Sequence, residues 1–214
     1  FDGAVYRNAW AGLSFTPQDY YTDGCFLTLN KSDVVLNYVA DDQKQTERLA
    51  NMDFGRATAF YYSAGGKGAV AMYVYNLDCE VLGSSIVPDM GMIQDRDEFL
   101  RKLVEDCERR PACTLQKAPY ATVLGGRDFM ACDITRSDAA FKIYAQQIDN
   151  FLVVVYMTVN KEIDRDWLFK ELEGCFNGGA QAAASVAGDK ALDGKFDIGE
   201  YVRDTYTNSW MELS

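Results

Sequence analysis

Four apolar, β-rich runs follow one another in the second half of this chain with almost nothing between them. They cover residues 120–124, 129–135, 139–147 and 151–158. The turns are Gly125-Gly126-Arg127, Arg136-Ser137-Asp138 and Asp149-Asn150. Parallel pairing would need a crossover of about a dozen residues, so these neighbours run antiparallel. Residues 151–156, Phe-Leu-Val-Val-Val-Tyr, are apolar on both faces and predict a central strand covered on both sides. Upstream, residues 57–64 and 69–77 flank Gly65-Gly66-Lys67-Gly68, which reads as one more hairpin.

Helical spacing enters around this sheet. In 95–108, Phe99, Leu100, Leu103 and Val104 share one helical face; Gln94-Asp95 can cap the start, and Pro111 lies past the end. Residues 164–176 predict a last helix with Trp167, Leu168, Leu172 and Phe176 facing inward. Ser32-Asp33 can cap a short helix, and 41–52 is helix-favouring with Leu49 and Met52 inward. Residues 5–16 alternate as two short strands around a tight bend. The expected fold class is α+β: an antiparallel β-sheet with helices packed on both faces.

A near-repeat bears on domain organisation. Tyr6, Asn8, Trp10, Leu13 and Ser14 return in order as Tyr206, Asn208, Trp210, Leu213 and Ser214. Between them, 180–188 is small and nearly featureless. The division expected is an α+β domain over 1–177, a linker over 178–201, and, over 202–214, either the start of a second repeat or a docked C-terminal strand. Such a segment could also exchange into the sheet edge of a neighbouring molecule.

Composition excludes several chemistries. The net charge of −11 repels phosphate backbones, and Arg109-Arg110 is too small a cluster to compensate, so nucleic acid is not an expected partner. There is no histidine, which removes Ser-His-Asp and Cys-His catalysis and mixed Cys/His zinc sites. No segment reaches the ~20 apolar residues of a membrane span. A membrane association would run through an anchor outside this sequence. Of the six cysteines, Cys107 and Cys113 flank the Pro111 turn and are the candidate disulfide. Cys79 and Cys132 lie in strand-like runs and read as buried thiols.

The stretch Tyr6, Asn8, Trp10, Gly12, Leu13, Phe15, Pro17 resembles the start of PsbP-like domains, a fold shared with Mog-type Ran-binding proteins. The order of elements over about 3–177 agrees with that family. The resemblance is nearest to uncharacterised lipoproteins of Gram-positive bacterial cell surfaces. It implies no shared catalytic residues and no cofactor. It implies an extracellular, envelope-anchored accessory or binding module whose partner is an unidentified protein or small ligand.

Four local features could carry chemistry. Asp189, Asp193, Asp197 and Glu200 match positions 1, 5, 9 and 12 of a calcium loop, with Gly194 at 6. Ala191 at position 3 offers no oxygen, and an acidic linker explains the same residues. Gly65-Gly66-Lys67-Gly68 could cradle phosphate, but it joins two strands where a P-loop would open a helix. Carboxylate pairs such as Asp41-Asp42, or Asp95 with Asp97, could support hydrolysis, but they read as a solvated acidic face. Finally, Trp10, Tyr61, Tyr62, Tyr73 and Tyr75 are the recognition aromatics expected of a binding surface, though most such rings are core. The expectation is a non-enzymatic module. The competing classes are a carboxylate- or metal-dependent enzyme and a calcium-responsive tandem-domain protein.

Overall fold

A computed structural model of the chain describes residues 6–8, 11–17, 24–26, 56–64, 67–81, 87–137, 139–160, 165–178 and 200–201. The expected helices within 32–52, residues 179–199 of the expected linker 178–201 and the repeat 202–214 lie outside these residues; Gly178 ends β10, and Glu200–Tyr201 form a strand.

Eleven strands and two helices are described, and the fold is α+β with antiparallel sheets. The strands are β1 (Tyr6–Asn8), β2 (Leu13–Phe15), β3 (Gly24–Phe26), β4 (Arg56–Ala64), β5 (Gly68–Asn76), β6 (Cys113–Leu124), β7 (Arg127–Arg136), β8 (Ala139–Ile148), β9 (Phe151–Asn160), β10 (Phe176–Gly178) and β11 (Glu200–Tyr201). The helices are α1 (Arg96–Arg109) and α2 (Arg165–Gly174). Seven strands form one sheet in the order β3-β4-β5-β9-β8-β7-β6. As its two-sided apolar run predicts, β9 is central, and Leu152 to Met157 are all buried. The turn between β6 and β7 is Gly125-Gly126, both at positive φ, which suits a two-residue hairpin.

A second sheet, β10-β2-β1-β11, gathers segments far apart in sequence. Phe15 pairs with Phe176 on one side and Tyr6 on the other, and Tyr6 pairs with Tyr201. Its apolar side meets the large sheet through aromatic rings: Tyr6 lies 4.5 Å from Phe60, and Phe15 lies 5.1 Å from Phe60 and 5.2 Å from Tyr62. Asn8 is fully buried in this layer. Its amide nitrogen donates to the Tyr6 hydroxyl at 3.0 Å, and its oxygen accepts from the Ala11 N–H at 2.9 Å. Gly178 must be glycine here, because a Cβ would fall 1.5 Å from the Gly125 carbonyl oxygen.

Strand alternation sorts the large sheet's side chains into two clusters. Val70, Met72 and Val74 of β5 join Leu168, Phe169 and Leu172 of α2 and the small sheet. Ala71 and Tyr75 of β5 join Phe99, Leu100, Leu103 and Cys107 of α1. Asp95 caps α1, accepting from the Glu98 N–H at 2.8 Å. Its last turn is bonded to β6 by the Cys107–Cys113 disulfide, across a Cα separation of 5.1 Å. Among the described residues, no helix is long and apolar enough to cross a membrane.

Three details depart from the sequence expectation. Trp167 is 46% exposed, because the inward stripe of α2 runs through Leu168, Phe169 and Leu172, and Trp167 sits a further ~100° round the helix. Phe176 is buried, but in β10, since α2 stops at Gly174. Cys79 is half-buried in a turn, because the Asn76 side-chain oxygen accepts from the Asp78 N–H at 3.0 Å and ends β5. Cys132 is buried on β7, and burial pushes its thiol up to about 12.

Candidate functional site

The large sheet has a concave end where three chain segments meet. The turn entering β5 supplies Lys67 and Gly68, the turn between β7 and β8 supplies Arg136 and Ser137, and the last residues of β9 supply Thr158 and Asn160. The depression holds about 480 Å³ and is shallow and broadly open to solvent. Its floor is short side chains in register: Ala69 pairs with Thr158, and Ala139 pairs with Asn160. Ser63 and Tyr61 of β4 form one wall. Strand alternation places Tyr61, Ala69 and Thr158 on the same sheet face as α1.

Local backbone bonds fix the two turns. The Lys67 N–H donates to Ala64 at 3.1 Å, and the Lys67 carbonyl accepts from the Asn160 N–H at 2.9 Å. Gly68 has to be glycine, since a Cβ would lie 2.5 Å from the Thr158 carbonyl oxygen. Ser137 adopts a left-handed φ of 50°, and its N–H donates to Ala112 at 3.0 Å. The glycine-rich loop therefore joins two strands, and it presents Lys67 at the rim of the concavity.

The expected recognition aromatics divide between the faces. Tyr62 is fully buried against Phe15, with ring centroids 5.2 Å apart. Tyr75 is fully buried beside Phe99, and burial pushes its hydroxyl up to about 12. Tyr61 and Tyr73 are half-buried on the α1 face. Tyr73 carries the Arg56 guanidinium 5.2 Å from its ring centroid; burial raises its pKa, and Arg56 opposes that rise. Trp10 lies outside the described residues.

A separate polar group lies beside α2. The Tyr120 hydroxyl donates to Asp133 at 2.9 Å, and the Tyr144 hydroxyl donates to Glu173 at 2.5 Å. Lys142 pairs with the same Glu173 oxygen at 2.8 Å. Burial, then the bonded carboxylates, push both tyrosines well above their ordinary range, so they remain neutral donors. This arrangement ties α2 to β8. Sequence inspection missed it, because the partners are up to 31 residues apart and none stands in a motif.

The remaining candidates fall elsewhere. Asp95 and Asp97 serve the start of α1, as cap and as partner of Arg96. Arg109 and Arg110 pair with Glu105 and Asp106 on the same helix. Glu200 lies in β11 opposite Arg7, while Asp189, Asp193, Asp197 and the pair Asp41-Asp42 lie outside the described residues.

No family model matches this sequence, and a comparison with curated proteins finds no match either. Among solved structures, the chain is similar to the solution structure of cyanobacterial PsbP (CyanoP) from Synechocystis sp. PCC 6803. The TM-score is 0.44 at 8% identity, over 84% of this chain and 94% of that one. It is also similar to a crystal structure from Bacteroides thetaiotaomicron VPI-5482. There the TM-score is 0.35 at 9% identity, over 85% of this chain and half of that one.

Proposed function

We propose that this chain is a non-enzymatic binding module of PsbP-like type, exported and held at a bacterial cell envelope through an anchor outside this sequence. The finer architecture in this reading is a sandwich with helices on both faces of the sheet. The near-repeat at 206–214 would open a second domain or exchange into a neighbouring sheet.

One observation carries the binding reading. The concavity combines a floor of small side chains, a half-buried tyrosine and two cations, on backbone that is already fixed. A few polar groups beside a small-residue depression are features that ligand capture uses. Two sheet-side carboxylates, Asp133 and Glu173, are committed to Tyr120, Tyr144 and Lys142. Glu173 holds its helix on β8, Asp133 joins β7 to β6, and the hollow is left without a general base from that group.

The test is a thermal-shift screen of the full chain against metabolites, cell-wall fragments and short peptides, with each hit then assayed for turnover. A stabilising ligand that is recovered unchanged, and whose shift disappears in Tyr61→Ala, supports the module. Chemical conversion of any hit by the purified chain refutes it.

A further inference from the structure

We propose that Asn177-Gly178 in β10 is a self-modification site, at which the chain closes a succinimide ring on itself, releases ammonia and unfastens β10 from β2. It is independent of the binding-module reading, and water is the one reagent it needs.

Chemistry is the first argument. Asn177 is the one asparagine of the sequence that precedes a glycine. Ring closure requires the next residue's backbone nitrogen to reach the asparagine Cγ, and glycine presents that nitrogen with no Cβ beside it. The Gly178 nitrogen bonds to Cγ, and its proton leaves with the side-chain amide as ammonia. Water then opens the ring at either carbonyl. One opening yields aspartate. The other yields isoaspartate, whose main chain runs through Cβ and Cγ and is longer by one methylene. No electrons are exchanged.

Geometry is the second. The fold itself imposes the dipeptide, because a Cβ on residue 178 would fall 1.5 Å from the Gly125 carbonyl oxygen. The Thr16 N–H donates to the Cys175 carbonyl at 2.8 Å, and Phe176, Asn177 and Gly178 pair in register with Phe15, Ser14 and Leu13. Alternation then makes Asn177 and Ser14 the bonded pair and turns the Gly178 N–H away from β2. β10 is an edge of the small sheet, so among the described residues no strand lies on that side to receive this N–H. The Asn177 side chain is half-buried, and its amide nitrogen reaches the Cys175 carbonyl only at 3.5 Å, so the leaving group is weakly held. Paired, extended backbone keeps the nitrogen from Cγ, and the reaction therefore proceeds from brief openings of a three-residue edge strand. The isoaspartate product does not fit back. Gly178 is wedged against Gly125 and leaves no room for an extra main-chain atom. The carbonyl that accepts from the Ser14 hydroxyl at 3.2 Å becomes a free carboxylate.

The experiment ages the full chain in mildly alkaline buffer beside a synthetic peptide of residues 173–181, and maps conversion by peptide mass spectrometry. Conversion at Asn177 is expected about ten- to a hundredfold slower than in the peptide, because the strand must first open. Both aspartate and isoaspartate should appear, and hydrogen exchange at the Ser14 amide should quicken in the isoaspartate fraction. Asn177→Gln, whose longer side chain disfavours ring closure, should age without either change. If Asn177 stays intact while the peptide is consumed, the site assignment is overturned. Equal exchange at Ser14 in converted and fresh chain overturns the release of β10. Should Asn177→Gln fail to fold, the comparison of the parent chain with the peptide still decides the matter.

Discussion

Asn8 has no exposed surface, and its side chain is used at both ends. It donates to the Tyr6 hydroxyl and accepts from the Ala11 N–H, so one amide fixes both a buried tyrosine and the bend between β1 and β2. Asn8→Ala removes both bonds inside a dry layer. The expected cost is about 1–3 kcal/mol, read as a lower urea midpoint at unchanged m-value. A change near zero would mean that water replaces the amide. The buried tyrosines make a second statement at this scale. Tyr75 has a folded pKa of about 12 against 10.0 unfolded, so the folded state holds its proton longer. Its contribution is complete below pH 10 and is lost as pH rises toward 12. Stability should therefore fall steeply across that window, and Tyr75→Phe should fall less. Equal slopes in the two proteins would contradict it. The paired repeat at 206–214 keeps the tyrosine and the asparagine but replaces Gly12, which has φ of 65°, by Glu212.

Elements were legible where local chemistry repeats. The spacing of Phe99, Leu100 and Leu103 and the Asp95 cap define α1 without reference to anything distant. For α2 the sequence identifies a helix but misjudges its rotation. Trp167 is the largest apolar side chain in 164–176, yet the stripe is set by what lies beneath it on β5 and β9, which no window contains. The disulfide joins the end of α1 to the start of β6 across six positions, and closing so short a loop removes about 2 kcal/mol of unfolded-state freedom. Cys107→Ala with Cys113→Ala should lower stability by about that amount, and a thiol reductant should reproduce the loss in the parent but leave the double variant unchanged. At the far edge, β6 shifts register on both sides of Lys117 and carries an exposed Pro119. These irregularities deter pairing with another chain. Lys117→Val with Pro119→Val should straighten the edge, and light scattering should report mass rising with concentration. An unaltered mass would show that the edge is guarded by something else.

At the level of the whole molecule, the antiparallel order of β6 to β9 was written in turns of two or three residues. The small sheet was not, because β2 meets β10 across more than 150 positions and no local pattern encodes that meeting. The concave end was hidden for the same reason. Lys67, Arg136 and Thr158 come from three segments that only the sheet order brings together. The glycine loop drew notice as a phosphate motif, while its neighbours Ser137 and Ala139 gave no signal. The small sheet has a further consequence, for the order of events during synthesis. The meander from β6 to β9 can close as it emerges, since each strand meets one made moments earlier. Residues 6–15 find β10 only once residues 176–178 have been joined, and β11 only once residues 200–201 have been. Until those residues are made, Tyr6, Leu13 and Phe15 belong to an unfinished layer, through which the nascent chain must be kept from aggregating.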